Sequence, residues 1–273
     1  MKNKILILGN GYIAGRLRRQ WHCPVYEKKI LSFEDALLAF KKHKPDILVN
    51  CIGHVGKRNV DDCELDVDKC LLANTMVPVW LGEIAFRNPV KLVHISSGCI
   101  YHYDYDKQRP ITEEDVPDYY KLFYSRTKIY AEGVLQALSQ RSNILIVRIR
   151  VPLDIYPNSR NILNKLIQYK TIIDIPNSIT YIPDFIKALE HLLKIDAKGI
   201  FNVTNKGGLR YPQLMDVYKK YVPDFQYSIL PMKRFPLDRT NLVLSVRKLE
   251  KTGFKVRKIQ EVLKECVEQY VKY

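Results

Sequence analysis

The chain has 273 residues, 47% of them apolar and 27% charged, with a formal net charge of +15 at pH 7. That length suits one large α/β domain, or a cofactor half and a smaller substrate half around a shared core. Its apolar runs, such as Ile5 to Leu8, Ile47 to Val49 and Ile144 to Ile149, fall far short of the roughly 18 residues a membrane span needs. Only four apolar residues separate Lys4 from Gly9, which reads as a first strand rather than a secretory leader. A cytoplasmic protein with no membrane partner is expected. The six cysteines (23, 51, 63, 70, 99 and 266) form no CxxC pair, which suits reduced thiols better than a disulfide framework or a zinc site. The histidines at 22, 43, 54, 94, 102 and 191 lack metal-ligand spacing. Lysines are dispersed, without a long like-charge block or a nucleic-acid-binding signature. Phosphate-bearing small ligands therefore fit the charge better than nucleic acid does.

Short β-like runs alternate with helix-length amphipathic stretches through the first 150 residues. The periodicity predicts strands near 4–8, 24–27, 46–51, 90–96 and 143–149, and helices over 12–21, 33–43, 68–87 and 118–140. Ser32 stands as N-cap of the second helix, ahead of Glu34 and Asp35. The expected fold is α/β, a Rossmann-like doubly wound parallel sheet. After Arg150 the alternation loosens, and prolines at 152, 157, 176, 183, 212, 223, 231 and 236 punctuate shorter elements. The expected division is a cofactor-binding domain over 1–150 and a smaller C-terminal substrate lobe over 151–273, some of whose segments return to the sheet.

The first predicted strand runs into Gly9-Asn10-Gly11-Tyr12-Ile13-Ala14-Gly15 and then into a helix. Strand, turn and helix together are the context a dinucleotide fingerprint requires. Gly9 permits the tight turn, Gly11 lets the backbone approach a pyrophosphate, with Tyr12 and Ile13 beside it, and Ala14 lets helix and strand pack closely. Glu27, at the end of the second strand, would favour ribose hydroxyls, whereas Lys28, Lys29 and Arg16 offer cations for a 2′-phosphate. The balance favours NADPH, with NADH left open.

Tyr124-Ser125-Arg126-Thr127-Lys128 is a YxxxK on a predicted helix, where residues four apart share a face. A phenol is a poor acid–base partner at neutral pH until a nearby cation stabilises its phenolate, and Lys128 stands one turn away. Upstream, Val93 to Tyr101 reads as a strand ending in Ser96 and Ser97, at the end of the sheet where such folds bind ligands. Ser96 is expected to satisfy backbone groups there.

Glycine loop, strand-end serine and YxxxK, in that order, resemble the extended short-chain dehydrogenases. Asn50-Cys51-Ile52-Gly53 is similar to that family's Asn-Ala-Ala-Gly segment, and Asn74 to its helical asparagine. More narrowly, the chain resembles the nucleotide-rhamnose synthases (epimerase-reductases) of plants and large DNA viruses, and more loosely the bacterial dTDP-4-dehydrorhamnose reductases. The blocks that carry the likeness include Gly56-Lys57-Arg58-Asn59-Val60-Asp61, Gly98-Cys99-Ile100-Tyr101, Arg148-Ile149-Arg150-Val151-Pro152, Ser159-Arg160-Asn161 with Lys165, and Arg239-Thr240-Asn241. The resemblance implies hydride transfer to the C4 ketone of a nucleotide-linked 4-keto-6-deoxyhexose. Tyr124 would donate the proton, Ser97 hold the carbonyl oxygen, and Lys128 lower the Tyr124 pKa and bind the nicotinamide ribose. Asn50, Cys51, Gly53 and Asn74 would line the cofactor site, and Arg160, Asn161 and Arg239 would hold the substrate.

The resemblance also implies epimerisation at C3 and C5, both α to the ketone, with Cys99 and Lys165 as the acid–base pair. If the strand extends to Cys99, its side chain faces the same crevice as Ser97. Two departures stand out: the glycine loop is one residue shorter than the usual pattern of extended members, and Ser97 replaces a more common threonine. A reductase without epimerase activity, a different nucleotide deoxysugar, and a non-catalytic binding protein like the regulatory subunit of methionine adenosyltransferase remain competing readings. A homodimer is carried as an expectation that no residue signals.

Overall fold

The computed structural model describes residues 3–102, 109–169, 171–230 and 241–273. In chain order the elements are β1 (Ile5–Leu8), α1 (Tyr12–Trp21), β2 (Val25–Tyr26), α2 (Phe33–His43), β3 (Ile47–Asn50), a 3₁₀ turn (Val60–Glu64), α3 (Val67–Leu71), a π segment (Leu72–Met76), α4 (Val77–Arg87), β4 (Lys91–Ser97), α5 (Phe123–Ser139) and β5 (Ile144–Ile149). There follow β6 (Pro152–Leu153), α6 (Ile162–Gln168), β7 (Thr171–Ile173), β8 (Thr180–Tyr181), α7 (Ile182–Lys194), β9 (Gly199–Asn202), α8 (Tyr211–Lys219), β10 (Ser228–Leu230), α9 (Arg247–Glu250) and α10 (Ile259–Tyr270).

Two compact units result, both discontinuous in sequence. The first comprises residues 1–100, 117–148 and 196–201. It is built on a six-stranded sheet in the order β2-β1-β3-β4-β5-β9, in which β1 with β2, β1 with β3 and β3 with β4 pair in parallel. Every residue of β3 and β4 is buried, as expected of strands covered on both faces. On one side Leu6, Leu8 and Leu48 pack with Leu81, Ile84 and Leu135 from the helices. The expected doubly wound α/β fold is what forms. The sixth strand was not among the predicted ones. A buried lysine helps to hold that edge: the Lys91 ammonium donates to Asn143 Oδ1 at 2.8 Å, to Asp196 Oδ1 at 2.8 Å and to the Ala197 carbonyl at 2.7 Å.

Helix ends follow local chemistry. Ser32 caps α2 in a reciprocal box, its hydroxyl accepting from Asp35 N while Asp35 accepts from Ser32 N, each at 3.2 Å. Lys41, Lys42 and His43 close that helix at the negative end of its dipole. The predicted 68–87 helix is continuous but contains the π segment. The predicted 118–140 helix starts late, at Phe123, because Asp118 N and Tyr119 N both donate to the Ile100 carbonyl, each at 3.1 Å. Glu64 Oε1 then accepts from Phe123 N at 2.6 Å and caps the new start.

The second unit comprises residues 101–116, 149–195 and 202–273. Two short parallel pairs, β6 with β8 and β7 with β10, support a core of Leu153, Leu163, Ile179, Leu214, Val262 and Val267. Among the described residues no helix is long and apolar enough to cross a membrane.

Candidate active site

The glycine loop follows β1 directly. Gly9 has φ 98°, a left-handed value that side chains resist, and a Cβ there would lie 3.0 Å from Ile52 Cγ1. Its N–H donates to the Tyr26 carbonyl at 3.0 Å, which ties the turn to β2. Gly11 is the N-cap of α1, with no side-chain cap and no acidic residue in the first turn. A Cβ on Gly11 would meet nothing within 4 Å. The backbone N–H groups at the positive end of α1 are therefore open to an anion. Ala14 is fully buried against the sheet, while Tyr12, Ile13 and Arg16 are half-buried. Lys28 is exposed, and Glu27 is engaged by Arg18 at 3.0 Å.

The buried amides nearby are spent on the protein itself. Asn50 Nδ2 lies 3.1 Å from His94 Nδ1, and Asn50 Oδ1 accepts from Ile52 N at 3.0 Å. Burial, and then the Lys128 cation, hold His94 well below the usual imidazole pKa. Asn74, carried inward on the π segment, accepts from His54 N and donates to the His54 carbonyl, both at 2.8 Å. It also donates to Cys70 Sγ at 3.0 Å and Thr127 Oγ1 at 3.3 Å. Asn50 and Asn74 thus brace the segment 51–54, which carries Cys51 and Gly53. Their side chains work within the fold.

Ser97, the last residue of β4, is the hydrogen-bonding neighbour that lowers the pKa of the Tyr124 phenol. Tyr124 and Lys128 are both buried on the first two turns of α5. The Lys128 ammonium reaches Gly53: a Cβ there would lie 3.6 Å from Nζ and 3.3 Å from Asn74 Oδ1. No described residue hydrogen-bonds that ammonium. Burial pulls the Lys128 pKa down to about 8, opposed first by Glu132. Burial pushes the Tyr124 phenol well up, Cys99 pushes it further, and the Ser97 hydrogen bond acts the other way. The expected lowering of Tyr124 by Lys128 does not emerge: burial of the phenolate is the largest influence, and Lys128 is not among the main ones. The phenol stands protonated at neutral pH, as a proton donor.

β4 ends at Ser97, so strand alternation does not carry Cys99 into the crevice. Cys99 lies in the turn beyond, half-buried and packed with Tyr124, Cys63 and Cys70. Its N–H donates to Ser97 Oγ at 3.2 Å, and its carbonyl accepts from Ser125 Oγ at 2.5 Å. A hydrogen bond from Cys63, together with Thr127, Asn74 and the Lys128 cation, brings the Cys70 thiol down to about 7 against the effect of burial.

Arg160, Asn161 and Lys165 belong to the second unit. Asn161 is wholly buried as N-cap of α6. Its oxygen accepts from Leu163 N at 3.1 Å and Asp154 N at 3.3 Å, and its nitrogen donates to the carbonyls of Asp154 at 2.8 Å and Tyr156 at 3.0 Å. All four bonding positions are taken, which leaves none for a ligand. Arg160 precedes α6 and Lys165 lies within it, both half-buried. Arg239 lies outside the described residues.

Residues that the sequence reading passed over complete the site. Ser96 was expected to serve the backbone; instead its hydroxyl donates to Glu132 Oε1 at 2.5 Å. Glu132, one turn beyond Lys128, is clasped by Arg148, whose Nη2 and Nε donate to Oε2 at 2.6 and 2.9 Å. Its signal was present, since YxxxK continues as YxxxKxxxE on one helix face.

A profile of the RmlD substrate binding domain matches residues 8–272. Over 239 residues the chain is 30% identical to the Arabidopsis thaliana trifunctional UDP-glucose 4,6-dehydratase/UDP-4-keto-6-deoxy-D-glucose 3,5-epimerase/UDP-4-keto-L-rhamnose-reductase RHM3, an alignment covering 82% of this chain and 35% of that protein. It spans 35% to 41% of the length of three such plant proteins. The structure of the L780 UDP-rhamnose synthase of Acanthamoeba polyphaga mimivirus superposes with a TM-score of 0.88 at 23% identity, covering 98% of this chain and 99% of that one. The dTDP-4-dehydrorhamnose reductase of Bacillus anthracis, in complex with NADP, gives 0.81 at 19% identity, covering 100% and 99%. Both likenesses are of fold. With the profile running from the last residue of β1 to the penultimate residue of the chain, the protein belongs to the RmlD substrate binding domain family.

Proposed function

We propose that the chain is an NADPH-dependent 4-ketoreductase of a nucleotide-linked 4-keto-6-deoxyhexose, and that it also epimerises C3 and C5 to yield an L-rhamnose nucleotide. The observation that carries this reading is Ser97 acting on the Tyr124 phenol, with the buried Lys128 side chain, which no described residue hydrogen-bonds, one turn along α5. The residues present fit a nicotinamide dinucleotide: α1 opens without a side-chain cap, and the space beside Gly11 is empty. When bound, the dinucleotide supplies the hydride.

The protein's own part is proton transfer and charge. The Tyr124 phenol donates its proton to the oxygen developing at C4, and Ser97 holds that oxygen in line with the phenol. Lys128 offers the positive charge that stabilises the phenolate left behind. Glycine-loop N–H groups, with Arg16 and Lys28 at its margin, meet the phosphates. Glu27 is occupied by Arg18, which weakens its objection to a 2′-phosphate and favours NADPH. For epimerisation, Cys99 removes or returns a proton at the carbons flanking the ketone, and Lys165 serves the opposite face. UDP is the first nucleotide to try and dTDP the second, after the relatives' substrates.

The test combines protein, UDP- or dTDP-4-keto-6-deoxy-D-glucose and NADPH in deuterated water, with absorbance and proton spectra followed together. Oxidation of NADPH with deuterium at C3 and C5 supports both activities, whereas oxidation without deuterium leaves a reductase alone. In Cys99→Ser, reduction of an already epimerised ketone is retained and deuterium entry is lost; normal deuterium entry ends the role of Cys99.

A further inference from the structure

Lys128 is an unusual cation. Its side chain is buried, its ammonium lies beside Gly53, and no described residue hydrogen-bonds it. Taking a charge out of water costs several kcal/mol unless another charge compensates it. The titratable groups coupled to its charge are Cys63 from the 3₁₀ turn, Cys70 from α3, Cys99 beyond β4, His94 within β4 and Glu132 from its own helix, while Tyr124 precedes it by one turn of α5. Of these, the strongest influence favouring the charged lysine is Glu132. His94, held neutral by burial, adds no positive charge.

Glu132 is equipped for that task. It follows Lys128 by one helical turn and is 2% exposed. Arg148 of β5 and Ser96 of β4 fix both of its oxygens from the two strands beneath α5. Neither the carboxylate nor its partners has solvent to turn towards. We infer that Glu132 is a positioning residue of the reaction, anchored by Arg148 and Ser96, which keeps Lys128 an ammonium so that Tyr124 has its cation. The inference rests on the proposed service of Lys128 to Tyr124. It explains a network that packing alone does not require, since a well-packed apolar pair of similar volume is often as stable as a buried ion pair. Part of the carboxylate field is cancelled at Lys128 by the Arg148 guanidinium, and the remainder is what acts.

The experiment follows the Lys128 Cε resonance in ¹³C-lysine-labelled protein through pH, with Lys128→Met identifying the signal. Glu132→Gln lowers the titration midpoint by about one unit or more. Because that variant strands Arg148 and is prone to unfold, the decisive protein is Glu132→Gln/Arg148→Met, which leaves no uncompensated ion. There the midpoint also falls, by less, and the alkaline limb of NADPH oxidation moves down with it. A folded double variant with an unmoved midpoint overturns the inference. A midpoint that falls while the alkaline limb stays put overturns the link to catalysis. Wild-type turnover in Lys128→Met would instead sink the proposed role of Lys128, and the midpoints would still report on Glu132.

Discussion

Two polar clusters sit one turn apart on α5 and are treated oppositely by the fold. Around Glu132 the acceptors are matched by Ser96 and Arg148. Around Lys128 and Tyr124 a buried lysine side chain carries an ammonium without a described hydrogen-bond partner, and Ser97 is the hydrogen-bonding neighbour of a phenol packed among cysteines. Burial is equally deep in both places, so exposure does not distinguish them. What differs is whether the hydrogen-bonding capacity is used up. A satisfied buried network builds the protein, and an unsatisfied one stores capacity for something that arrives later.

The contrast can be broken at its most reactive point first. Tyr124→Phe removes only a hydroxyl from the unsatisfied cluster and should cut reduction by roughly 10²–10⁴-fold. Nucleotide-sugar binding and melting temperature should hold; unchanged NADPH oxidation would remove Tyr124 from the chemistry. Glu132→Ala strikes the satisfied cluster and strands Arg148, so denaturant unfolding should register a loss of about 3–5 kcal/mol. A stability change below about 1 kcal/mol would mean that the network is not a single unit.

The pH profile sharpens the comparison. Lys128 serves only as an ammonium, and its pKa is drawn down to about 8. Activity is therefore present below that value and declines as pH rises through it, approaching about tenfold per unit. A kcat/KM profile flat to pH 10 would show that the charge is not needed. Smallest of all, Ser32→Ala removes the α2 cap far from both clusters. It should cost about 1 kcal/mol in thermal or chemical denaturation and leave turnover alone; a change in turnover would tie α2 to the site.

The sequence reading did best where one residue type dominates local geometry. Gly9, Ser32 and the alternating apolar runs placed the loop, the α2 cap and five strands, because each acts over a few residues. It missed features that depend on distant partners. Glu132 was in plain view four residues after Lys128, yet a Glu and a Lys at that spacing are most often a solvated surface pair, and burial does not show in a spacing. The late start of α5 is set by Ile100 and Glu64, which lie 23 and 59 residues before Phe123. The family resemblance implies cofactor roles for Asn50 and Asn74, and Asn161 lies in a block that carries the same likeness. Their amides were already claimed by His54, His94, Asp154 and neighbouring backbone, which only coordinates reveal.

The late arrival of β9 has a consequence for how this chain is made. Strands β1 to β5 leave the ribosome first, with β5 at the edge of the sheet, and its last neighbour is encoded about 50 residues further on. At roughly 5–20 residues per second, that edge waits for seconds with its backbone groups and its Ile144-Leu145-Ile146-Val147 run unpaired. Lys91 waits as well, since two of its three acceptors, Asp196 and Ala197, have yet to be synthesised. A nascent chain stopped near residue 150 therefore holds nearly every group of the proposed reductive chemistry and still presents a sticky border. That border is covered only when β9, ending at residue 202, has emerged.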